Sequence, residues 1–170
     1  MATIYNLCCL NLSFPNFIFK HFFQAEFIAD EHTCHRADYR SFPSGVTASA
    51  SKRHEYLRWA EKHGRYIIED DFESEFSVSA KPTETLFAAS TDDNIIYLNT
   101  FSQTISPSLR VGYMVLPEKL VARFQQKLGF YSCTVPTFEQ YVLAELLQSG
   151  DFERHINSVR RLMRRNLAST

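Results

Sequence analysis

Two strand-length apolar runs, Ile95 to Leu98 and Val111 to Leu116, bracket the stretch that most constrains this chain: Thr100 to Arg110, reading TFSQTISPSLR. Small hydroxyl residues, a proline and an arginine are gathered there between two expected strands. Loops at strand ends are where small anionic ligands are usually held. The arginine offers a planar fork of donors suited to phosphate or carboxylate. By itself such a stretch is more often just a hydroxyl-rich turn.

A second stretch lies upstream, Tyr66 to Phe76, YIIEDDFESEF. The spacing predicts an amphipathic helix from Ser51 to His63, with Tyr56, Leu57, Trp59 and Ala60 as its apolar stripe. Ser49 or Ser51 can cap its start and Gly64 can stop it. A short strand, Tyr66 to Ile68, follows, and helix, glycine, strand is the order of a βαβ repeat. Glu69, Asp70 and Asp71 end that strand. As residues alone they read as a solvated acidic turn. Residues 77–94 read as loop with a short helix near Thr85 to Ala89, and Asp92-Asp93-Asn94 as a turn.

At 170 residues the chain can bury one sizeable core. Fifteen Phe and eight Tyr favour packing over disorder. A formal net charge of −1 gives no global electrostatic case for nucleic acid or an anionic membrane. Cys8, Cys9, Cys34 and Cys133 show neither CxxC spacing nor a disulfide framework, as suits a cytoplasmic protein. No run is apolar enough to span a bilayer, and no signal-peptide pattern opens the chain. His32, Cys34 and His35 fit no standard zinc spacing, so no metal is expected.

The last third reads as three helices. Pro117-Glu118 opens the first, with Leu120, Val121, Phe124 and Leu128 on one face. The second runs from Thr134 to Gln148, with Phe138, Tyr141, Val142, Leu146 and Leu147 as its apolar side. Gly150 stops it and Asp151 caps the third, where Phe152, Ile156, Val159 and Met163 recur at helical spacing. Arg160, Arg161, Arg164 and Arg165 read as a solvated face rather than a nucleic-acid contact.

The stretches Ile67 to Phe76 and Thr100 to Pro117 together resemble the aminotransferase domain of class I/II, fold-type-I pyridoxal-phosphate (PLP) enzymes. They most resemble the MocR-type (GabR-like) regulators, whose patterns read IIEDDYDSEF and TFSKxxxPxLRxGYxVLP. Those regulators fuse a winged-helix DNA-binding domain to an aminotransferase-like domain. Ser41 to Gly45, SFPSG, is similar to the family's QFPSG turn. The likeness extends loosely from Ser41 to Arg165.

The resemblance implies an α/β fold, a partial three-layer α/β/α large domain with a mostly parallel sheet in which Val111 to Leu116 runs antiparallel. Residues 41–170 would be that partial domain, with the small domain missing, and residues 1–40 a Phe-rich segment without family likeness. The implied cofactor is pyridoxal 5'-phosphate. Asp70 would face its pyridine nitrogen; Thr100, Ser102 and Arg110 would hold its phosphate. Phe72 stands where the family has a tyrosine that bonds the phenolic oxygen. Gln103 stands where the family's lysine forms the Schiff base. A carboxamide nitrogen is delocalised, so it neither attacks the cofactor nor shuttles a proton. The resemblance thus implies non-covalent cofactor binding without transamination, and no catalytic residue. An amino-acid or amine would be the substrate class, and a homo- or hetero-dimer the assembly. The alternatives are a non-catalytic interaction or dimerisation module, or a gene remnant of a MocR-type regulator. No winged-helix segment is visible, so nucleic-acid binding is not expected of this chain.

Overall fold

The computed structural model describes residues 10–11, 35–38, 48–71, 84–130, 133 and 135–168. The SFPSG turn, Phe72, and the side chains of His32, Cys34 and His35 lie outside the described residues, as do Cys8 and Cys9. Among the described residues five strands form one sheet: β1 (Leu10–Asn11), β2 (His35–Asp38), β3 (Ile67–Asp70), β4 (Ile95–Thr100) and β5 (Val111–Val115). Their spatial order is β1-β5-β4-β3-β2. β2, β3 and β4 pair in parallel, whereas β5 runs antiparallel to both β4 and β1. The expected mostly parallel sheet with one reversed strand is what forms. Both edge strands come from residues before 40.

Parallel neighbours need a crossover, and α1 (Ala50–His63) supplies it between β2 and β3. The Ser49 side chain accepts from the Lys52 amide at its start. Gly64 ends it at φ 60°, its N–H reaching the Ala60 and Glu61 carbonyls. That left-handed conformation is the one glycine adopts without penalty. Ala60 packs with Ile67, Ile95 and Leu86, the last on the short α2 (Leu86–Ala89), and Tyr56, Leu57 and Trp59 close over them.

The other face of the sheet buries Ile68, Ile96, Met114 and Leu116. Leu120, Val121, Phe124 and Leu128 of α4 (Glu118–Leu128) cover them, as their spacing predicted. Pro117 can give this helix no side-chain cap, so the Asp93 carboxylate accepts from the Glu118 amide at 2.7 Å. Helices on both faces make the three layers.

A third cluster joins Phe101 and Val111 to Val135 and Leu143. It docks α5 (Thr137–Gln148) and α6 (Asp151–Ala168) beside β5. α5 departs from expectation twice. It begins at Thr137 rather than Thr134, because a residue before proline is pushed out of the helical region and Val135 precedes Pro136. It also buries Leu143 and leaves Phe138 and Tyr141 78% and 74% exposed. A helix apolar nearly all round does not declare its inner face. Residues 100–110 differ too: Phe101–Thr104 is one helical turn, α3, rather than plain loop.

Candidate functional site

The carboxyl ends of β3 and β4 lie side by side. Asp70 is in register with Leu98, and the Asp71 amide donates to the Leu98 carbonyl at 2.9 Å. The three acids at the end of β3 are not a solvated turn. Strand alternation sends Glu69 and Asp71 to the face carrying Ile67 and Ile95, and both are buried, at 3% and 1% exposure. Asp70 is half-buried at the strand's last position.

Glu69 holds the first turn of α2. Its two carboxylate oxygens accept from the Leu86 and Phe87 amides at 2.7 and 2.9 Å. The Arg53 guanidinium lies 3.4 Å away, itself buried and also donating to the Glu84 carbonyl. Burial raises the Glu69 carboxyl above its ordinary range; the two amides and Arg53 oppose that rise without cancelling it.

Asp71 receives the Tyr97 hydroxyl at 2.7 Å. The Asn99 side-chain amide donates to the same phenolic oxygen at 2.8 Å, and its carbonyl accepts from the Thr100 amide at 2.5 Å. Burial pushes the Tyr97 phenol far above its usual value, with Tyr113 and Asp71 adding to the shift, so it stays a neutral donor. With Asp71 committed to Tyr97, Asp70 is the acid at the strand's mouth.

After β4 the chain turns at Thr100. Its hydroxyl oxygen accepts from the Ser102 amide at 3.1 Å and donates to the Val111 carbonyl at 3.1 Å. The Ser102 hydroxyl donates to the Leu109 carbonyl at 2.6 Å. Both hydroxyls are buried and close the turn onto the start of β5. Arg110, next to Val111, is exposed at that closure. Gln103, on α3 between buried Ser102 and Thr104, is exposed. Thr100, Ser102, Gln103 and Arg110 are thus gathered at one turn, beside the strand end that carries Asp70.

Four contributors were not singled out in the sequence. Tyr97 and Asn99 alternate along β4 onto the face of Glu69 and Asp71, a period-two signal available beforehand. Arg53 lies on α1, and the Glu69 it meets is 16 residues away in sequence. His155 on α6 places a ring nitrogen 2.8 Å from the Thr104 carbonyl, holding the end of α3 from behind, and no local pattern foretells that pairing. An open cleft of about 490 Å³, lined by Ser51, His54, Arg58, Glu61 and Asp92 among others, gathers none of the candidate residues. Among the described residues no cluster of three His, Cys, Asp or Glu could hold a metal, and no helix is long and apolar enough to cross a membrane.

The sequence profile of the family described as aminotransferase class I and II matches residues 41–168. An uncharacterized HTH-type transcriptional regulator of Bacillus subtilis, YdeL, is 35% identical over 127 residues, covering 75% of this chain and 27% of that protein. The probable rhizopine catabolism regulatory protein MocR of Rhizobium meliloti is 30% identical over 121 residues, covering 71% and 24%. Among solved structures, the α-aminoadipate aminotransferase LysN of Thermus thermophilus, complexed with N-(5'-phosphopyridoxyl)-L-leucine, superposes with a TM-score of 0.63 at 26% identity. That match covers 91% of this chain and 40% of that one. The chain therefore spans about a quarter of the length of these curated relatives.

Proposed function

The chain belongs to the aminotransferase class I and II family, and from that premise we propose that it is a PLP-binding domain in which cofactor binding has outlived transamination. The observation that carries this reading is the state of one turn. Thr100, Ser102 and Arg110 are held together beside Asp70, while the exposed side chain on α3, at the family's lysine position, is the carboxamide of Gln103.

The donor set suits the cofactor. An exposed guanidinium and two hydroxyl groups can meet a phosphate, and a hydroxyl re-aims its proton by rotation without moving the backbone. Asp70 would keep a pyridine nitrogen protonated by placing a carboxylate against it. When bound, the cofactor supplies an electron sink for carbon acids. Gln103 offers it a hydrogen bond and no nucleophile, so nothing at this position moves a proton at a substrate carbon. By the same family logic the substrate class is an amino acid or amine.

A visible-absorbance titration with PLP, followed by borohydride, tests this reading. The expected result is saturation of the wild-type chain without covalent labelling, and covalent labelling of Gln103→Lys. No saturable signal in either protein would overturn it.

A second reading, an interaction module, draws on the exposed Phe138, Tyr141 and Val142, which line one side of α5. Solvent-facing aromatics so grouped suit a partner surface. A mixed dimer with a full-length relative, lost in Phe138→Ser/Tyr141→Ser, is its expected outcome on sizing; an unchanged monomer would sink it.

A further inference from the structure

One run of hydrogen bonds joins the two strand ends of the site, and none of the contacts proposed for the cofactor uses it. The Thr100 amide donates to the Asn99 side-chain carbonyl, the Asn99 amide donates to the Tyr97 oxygen, and the Tyr97 hydroxyl donates to Asp71. All three donors point towards the carboxylate, so each bond polarises the next. One end of the run is the residue after Asp70. The other is the residue whose hydroxyl shapes the turn through Ser102 and Val111. The Tyr97 ring is steadied by Phe87 at 5.5 Å and Tyr113 at 6.1 Å.

We propose that Tyr97 and Asn99 are positioning residues that fix the distance between Asp70 and the Thr100–Arg110 turn, setting where a bound PLP can place its ring and its phosphate at once. The proposal rests on the PLP-binding reading. At the level of the backbone, the Asp71 amide joins these strand ends by donating to the Leu98 carbonyl at 2.9 Å. Asn99 and Thr100 lie beyond that bond on β4, and the Tyr97–Asn99 run ties them back to Asp71.

Tyr97→Phe in the full chain is the test, since it keeps the ring contacts and removes the hydroxyl. Without cofactor, amide hydrogen exchange by NMR is expected to speed up about tenfold at Thr100, as Asn99 loses its anchor, with Ile96 unchanged. With PLP, half-saturation is expected to rise about tenfold and the bound phosphate's ³¹P resonance to shift, a change that simple loss of stability would not produce. Asn99→Ala leaves the Tyr97–Asp71 bond in place and is expected to give the same Thr100 and ³¹P changes, so a Tyr97→Phe chain that fails to fold does not remove the test. Unchanged Thr100 exchange in both variants overturns the proposal. Faster exchange with unaltered PLP affinity and ³¹P position overturns it as well, leaving only a structural brace. Faster exchange in a chain whose wild type takes up no PLP overturns the cofactor reading instead, while supporting the coupling of the two strand ends.

Discussion

The end of β3 and the turn after β4 are neighbours, yet they treat their polar side chains in opposite ways. At β3, Glu69 and Asp71 are sunk among amides, a guanidinium and a phenol. At α3, Gln103 faces solvent with buried residues on either side. A buried carboxylate that satisfies several donors cannot be exchanged without loss to the fold. An exposed side chain on a finished turn can change freely. Packing thus fixes the acids at the end of β3, whereas it places no such demand on the side chain at position 103.

The largest effect is expected at Glu69. Glu69→Ala would leave Arg53 buried without its carboxylate and two α2 amides without an acceptor. The expected cost is about 3–5 kcal/mol in urea unfolding. A loss below about 1 kcal/mol would mean the β3 acids are as replaceable as Gln103.

The same residue has a pH signature. Its folded-state pKa is raised, so the folded chain keeps that proton to higher pH than the unfolded chain does. Its contribution is therefore fully present below the unfolded pKa and fades as pH rises through the raised value. The difference in stability between wild type and Glu69→Gln, followed upward from the ordinary glutamate range, should show that slope. A flat difference would mean the carboxyl is not perturbed.

Ser102, within the turn, should fall between these extremes. Ser102→Ala removes the donor to the Leu109 carbonyl, and about 1 kcal/mol of stability should go with it, since the group is buried and neutral. The smallest effect is expected at Gln103 itself. Gln103→Lys should move unfolding by less than about 0.5 kcal/mol while changing the borohydride result completely. A large destabilisation there would erase the contrast.

Much of this architecture was legible in the sequence. Ile67, Ile68, Ile95 and Ile96 declared their strands by apolar runs, and Gly64 and Ser49 declared the ends of α1. The stretch 100–110 was legible as the connection between two strands, though not its helical turn. What stayed hidden was pairing at a distance. Nothing local says that Arg53 meets Glu69 or that His155 meets Thr104, because those contacts depend on how helices settle on the sheet. The inner face of α5 was hidden for a different reason: its apolar residues encircle the helix, and only docking of Leu143 against Phe101 and Val111 decides among them. The late start of α5 could have been read, since Pro136 already forbids an earlier one.

The reversed strand has a consequence in time. Leu10 pairs with Gly112, so β1 must wait for a partner made about a hundred residues later. At typical synthesis rates that interval is roughly 5–20 s. β2, β3 and β4 can find one another in the meantime, but β5 can be clasped from both sides only after the turn after β4 has been made. Closing so long a loop is also slow for the free chain. The turn that shapes the candidate site is therefore framed on its β1 side only once a segment made about a hundred residues earlier has come to β5.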